Sequence, residues 1–170
     1  MKNDIKCYGC KALVEDIPGT AHKYIGANQG CWNLYTEVLA KQYSEFNYPE
    51  DTQRLTVDTY AIQHPGVPSK QSIQSVNIHL MSLYWVLIKK LNGKEATKMI
   101  ANVLDNKPSF EWLEPPFING NLTIADILNA RTKEEHEQLV KKWAEDVFDC
   151  WYHQHQTKIK ALAEDNYKYN

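Results

Sequence analysis

Residues 69–91 read SKQSIQSVNIHLMSLYWVLIKKL. Ile73, Val76, Leu80, Leu83, Leu87 and Leu91 recur there at spacings of three and four. That period puts one apolar stripe along one face of a helix and predicts a long core helix from about Ser69 to Leu91. Pro65-Gly66-Val67-Pro68 stops whatever precedes it, since neither proline can continue a helix. Asn92-Gly93 is expected to close the helix, because both residues tolerate the left-handed backbone of a helix end.

Working outward, the same period recurs in Trp32, Tyr35, Val38, Leu39 and Tyr43, predicting a helix that begins near Cys31. Another is expected over about Thr52–Gln63, carrying Leu55, Tyr60, Ala61 and Ile62, and a shorter one over Lys94–Leu104. Pro108 and Pro115-Pro116 frame a loop whose Phe110, Trp112, Leu113 and Phe117 are expected to cover the core. Thr123 and Asp126 mark a short helix start. Thr132 with Glu135 at the capping-box position opens the last helix, which carries Val140, Trp143, Val147, Trp151, Ile159 and Leu162. No stretch alternates with period two. The expected fold is therefore all-α: a bundle of about four longer helices with short accessory ones and an irregular N-terminal arm. A chain of 170 residues suits one domain over 1–170, divided into an arm (1–29) and a bundle (30–165).

The arm carries the chemistry. Cys7-Tyr8-Gly9-Cys10 is a C-x2-C pair that can present two thiolates to one metal ion, with Gly9 easing the turn. Cys31, in the first turn of its helix, and His22 complete a set of three thiolates and one imidazole, the soft donors that suit zinc. The helix dipole there would favour the Cys31 thiolate. His64, aimed back by its Pro-Gly corner, is the alternative fourth ligand. Cys150, beside Trp151, reads as a packing residue. A redox-active C-x2-C would need a βαβ context that the sequence does not offer.

Three further histidines border apolar faces. His79 sits between Val76 and Leu83, His136 precedes Val140, and His155 lies between Trp151 and Ile159. Asp58 could orient a histidine, so Asp58, His79 and His155 form a possible second site or outer shell. His136 and His155 would stand about 28 Å apart on one continuous helix, too far to share an ion unless that helix breaks. A site on bundle histidines, DinB-like by architectural analogy, is the enzyme alternative to a zinc-clasped binding or scaffold module.

The net charge is −2, with 19 basic and 21 acidic residues interleaved, so no basic stripe points to nucleic acid. No apolar run approaches the roughly 20 residues that span a bilayer. Met1-Lys2-Asn3-Asp4 opens into no apolar segment, and a cytoplasmic protein without a signal peptide is expected. No phosphate-binding glycine loop, G-x-S-x-G elbow or dinucleotide fingerprint occurs. The sequence names no substrate and no partner.

Several blocks together resemble an uncharacterised bacterial family known only as a domain of unknown function. They are Cys7-x2-Cys10, Gly30-Cys31-Trp32, the run from Arg54 through Asp58-Thr59-Tyr60-Ala61-Ile62-Gln63-His64-Pro65-Gly66, Gln74-Ser75-Val76-Asn77-Ile78-His79-Leu80, Trp112-Leu113-Glu114-Pro115-Pro116, and Trp143-Ala144 leading to Trp151. The resemblance reaches from residue 7 to about 160 and implies one domain without an assigned activity. It also implies a paired His-His after the last tryptophan, where this chain has His153-Gln154-His155.

Overall fold

Helix α2 (Glu50–Gln63) runs through the middle of the molecule and packs against α3 (Lys70–Leu83), α4 (Gly93–Asp105) and α6 (Lys133–Asp165). The structure is a computed structural model that describes residues 3–106 and 108–167. Met1-Lys2, from which a leaderless start was expected, lies outside them. Helix α1 (Gln29–Ser44) packs on the short α5 (Ile124–Leu128) and on the arm. The fold is mostly helical, as the periodicity predicts.

The arm departs from the expected irregular chain. Strands β1 (Asp4–Lys6) and β2 (Leu13–Glu15) pair antiparallel, with Ile5 opposite Val14. Three residues per strand are too few for alternation to show in the sequence, so the hairpin is set by its turn. That turn is the C-x2-C segment. The Cys7 amide donates to the Ala12 carbonyl and the Lys11 amide to the Cys7 carbonyl, with Lys11 at positive φ.

The long core helix is also not uniform. It is α-helical to Leu83 and then widens into a π-helical turn over Tyr84–Ile88 before Lys90 reverses the chain at φ 63°. Asn92 does not close this helix. Its side chain accepts from the Glu95 amide, and Glu95 returns a bond to the Asn92 amide, so Asn92 caps the start of α4. The sequence supports either reading because asparagine serves both ends of helices. At the far end of the molecule the Trp85 indole donates to the Ala163 carbonyl, tying the π turn to α6.

The core is built on Trp85, Trp143, Trp151, Tyr60, Phe148 and Leu80, all fully buried. Helix α2 buries polar residues as well: Thr56, Asp58, Thr59 and Gln63 are 0% exposed. A buried polar group needs a partner. Gln63 meets this fully. Its amide donates to the carbonyls of Asn119 and Leu122, and its oxygen accepts from the Trp143 indole. Trp151 in turn donates to the Ile62 carbonyl and to Asn119 Oδ1. The loop between α4 and α5 is thus fastened to the end of α2 that carries His64.

Candidate metal centre

Four donors converge where the arm meets the ends of α1 and α2. The Sγ atoms of Cys7, Cys10 and Cys31 and a ring nitrogen of His64 all lie within 4.8 Å of one another, and all four residues are buried. Cys7 and Cys10 come from the hairpin turn and Cys31 from the first turn of α1. His64 is the C-cap of α2, its φ −128° and ψ 60° already outside the helical region. The cluster ties the N-terminal arm to the helices.

Two edges of the cluster suit a shared ion. Cys10 Sγ is 3.8 Å from Cys31 Sγ, and Cys31 Sγ is 3.4 Å from His64 Nε2. A tetrahedral centre with metal–sulfur bonds of about 2.3 Å and a metal–nitrogen bond of about 2.0 Å requires edges of about 3.8 Å and 3.5 Å. A disulfide would need a sulfur–sulfur distance of about 2.05 Å.

The imidazole is oriented for this role. His64 Nδ1–H donates to the Tyr60 carbonyl at 2.8 Å, which leaves the Nε2 lone pair on the sulfur side. The Tyr60 hydroxyl donates to Cys31 Sγ at 3.5 Å. Burial, with the neighbouring Cys31, raises the Tyr60 hydroxyl pKa and keeps its proton available for that bond.

Charge in the cluster is distributed unevenly. Hydrogen bonds from the Cys10 and then the Cys31 thiol hold Cys7 far below the usual thiol range, against its burial. A hydrogen bond with Cys31 lowers Cys10, but its bond with Cys7 and its burial outweigh this and push it up to about 12. Hydrogen bonding with Cys10 and Cys7, together with burial, raises Cys31. Three thiolates this close repel one another, and a cation among them would relieve that repulsion. The helix dipole that favours a Cys31 thiolate is outweighed by its neighbours.

Glycines allow the close approach. A Cβ on Gly9 would collide with the Gly26 carbonyl oxygen and with His64 Cδ2, and one on Gly26 would meet the Gly66 backbone at 2.7 Å. The Gly26 amide donates to the His64 carbonyl at 2.9 Å, and Gly66 sits at φ 70°. Gly26 reads in the sequence only as a turn former, and Tyr60 only as an apolar position; neither carries a signal for this site.

His22, the expected fourth donor, is not in the cluster. It is exposed, with its ring against Tyr24 (4.3 Å) and Trp32 (5.9 Å). The ring that joins the cysteines is that of His64, because the Pro65-Gly66 corner turns the end of α2 onto the arm.

The other histidines stay apart. His79 Nδ1 lies 2.7 Å from Asp58 Oδ1, and Asp58 also accepts from Arg54 (2.5 and 3.1 Å) and from Ser82 at 2.5 Å. Burial works against the Asp58 charge, yet Arg54, His79 and Ser82 together hold its carboxyl below the usual carboxylate range. His136 is buried, and the Gln42 amide donates to its Nε2 at 2.9 Å. His155 is half-buried on the loop side, where its Nε2–H donates to the Glu114 carbonyl at 2.7 Å. Helix α6 does kink at His155, yet His79, His136 and His155 do not converge. Among the described residues the Cys3His set is the one group of three or more such side chains placed to hold an ion. Cys150 is half-buried and its thiol donates to the Asp146 carbonyl.

Cavities open on the surface of the described residues. One of about 740 Å³ runs past Gly9, Cys10 and Gly66 to Phe117 and Asn119, and one of about 390 Å³ lies over His79. No helix among the described residues is long and apolar enough to cross a membrane. No curated protein and no solved structure matches the chain. The sequence model of one family of unknown function, DUF5946, matches residues 5–152, and the chain belongs to that family.

Proposed function

We propose that Cys7, Cys10, Cys31 and His64 hold one zinc ion, and that this ion is structural. It would fasten the arm to the helices of a single domain over 1–170 that works as a binding or scaffold module in the cytoplasm. The observation that carries this reading is the closed, buried donor set: four protein ligands fill a tetrahedron, with Nε2 freed by the bond from Nδ1 to the Tyr60 carbonyl. Thiolate-rich sites with one imidazole favour zinc over magnesium or calcium, whose ligands are oxygens. Binding would supply the cation that three adjacent thiolates need and would add directly to folding stability.

A second reading, a metal-dependent enzyme, draws on one feature. Cys10 lines the 740 Å³ cavity, so a ligand there would reach the edge of the cluster. Catalysis at zinc needs an open coordination position, which four protein ligands do not leave.

Metal content tests the clasp, and a cobalt spectrum separates the two readings. Untagged wild-type protein is expected to carry one equivalent of zinc, and Cys7→Ser/Cys10→Ser to carry none. Cobalt substituted into the wild type should give a four-coordinate thiolate spectrum unchanged by added azide. Absence of metal from the wild type would refute the clasp, and a spectrum that shifts with azide would move the assignment to the enzyme reading.

A further inference from the structure

The cavity over His79 has the features of a second, independent site. Its volume is about 390 Å³, and its wall combines apolar Ile78, Ile100 and Leu104 with the polar side chains of Lys70, Gln71, Gln74 and Ser75. That size suits a small organic ligand. None of those four polar side chains forms a hydrogen bond or ion pair with another described residue. In the larger cavity the opposite holds: Gln63, Asn119 and Asp126 are all committed to the fold.

His79, which lines the smaller cavity, is paired with Asp58. Asp58 is fully buried, and its charge is already balanced by a two-pronged Arg54 contact. His79 is therefore not needed to neutralise it. With Nδ1–H given to Asp58 Oδ1, Nε2 makes no hydrogen bond to a described residue, and the side chain, which lines the cavity, remains 18% exposed. An imidazole fixed in this way keeps its second ring nitrogen free for a polar group of a ligand. The remaining charged groups of the lining are Arg54 and Lys70, both positive, and no exposed carboxylate lines it.

We propose that this cavity binds a small organic anion, a carboxylate or phosphate monoester on a compact apolar body. The anionic group would lie between Lys70 and His79 Nε2, and the body would rest against Ile78, Ile100 and Leu104. The cavity shares no lining residue with the cysteine cluster.

The test is a titration of full-length protein followed by the ring nitrogen resonances of its histidines, with His79 assigned as the signal missing in His79→Gln. Benzoate and phenyl phosphate are the probes, and benzylamine is the cation of matching size. At least one anion should shift the His79 signals saturably with a Kd of about 1 mM or tighter, and Lys70→Gln should weaken it about tenfold. Lys70 is exposed and unpaired, so this substitution leaves the fold intact. A response to benzoate alone assigns carboxylates, and one to phenyl phosphate alone assigns phosphate esters. The proposal is overturned by silence from both anions, an equal response to benzylamine, or affinity unchanged in Lys70→Gln.

Discussion

Gly9→Ala is a sharp probe of the metal centre because its sign is unusual. Gly9 is not held at positive φ, so alanine suits the backbone there. At such positions Gly→Ala ordinarily stabilises a protein by about 0.4–1 kcal/mol, through the unfolded chain. Here the new Cβ would fall on the Gly26 carbonyl oxygen and on His64 Cδ2. Restoring van der Waals distance requires about 1 Å of movement from the turn or from the imidazole. The ring has little freedom, being fully buried and held by the Tyr60 carbonyl, and the Gly26 amide is bonded to the His64 carbonyl. Overpacking of this kind costs about 1–3 kcal/mol. Metal–ligand distances tolerate only about 0.2 Å, so zinc affinity should fall about tenfold or more. Urea unfolding of metal-loaded protein and competition with a chromophoric chelator measure the two effects. An alanine variant as stable as the wild type, with unchanged affinity, would refute the packing of Gly9 against His64.

Other expectations concern the core and the discarded ligand. Burial, with help from the Lys41 charge, pushes His136 down to about 4 from its ordinary 6.5. The unfolded chain therefore takes up this proton first: His136 contributes its full stability above about pH 6.5 and loses about 3 kcal/mol as the pH falls to about 4. The loss should be missing from His136→Gln when the two proteins are compared by urea unfolding across that range; parallel curves would contradict it. Gln63→Leu leaves the Trp143 indole and the carbonyls of Asn119 and Leu122 unpaired, and should cost about 3 kcal/mol in the same assay. His22→Ala should retain its full metal content, whereas His64→Ala should lose most of it, as read by elemental analysis after desalting.

The sequence disclosed most where a local rule acted alone. The three-and-four spacing of Ile73, Val76, Leu80 and Leu83 marks α3, and Thr132 with Glu135 marks the start of α6. The C-x2-C pair and Cys31 stand out as a donor set from their residue types. Choosing between His22 and His64 needed the path of the chain: sequence proximity favours His22, but the Pro65-Gly66 corner delivers His64. The π turn after Leu83 was hidden because its apolar residues continue the helical rhythm. Helix α2 was the hardest to read, since a central helix buries Asp58, Thr59 and Gln63 along with Ile62, and so shows no clean apolar face. Gln63 finds its partners on the loop at Asn119 and Leu122 and on α6, and Asp58 finds two of its own on α3, positions that no local window contains.

X-ray absorption at the zinc edge on untagged protein tests the central claim most directly. The account predicts one zinc per chain with three sulfurs at about 2.3 Å and one nitrogen at about 2.0 Å. A shell of oxygen and nitrogen alone, or protein that carries no zinc, would contradict it.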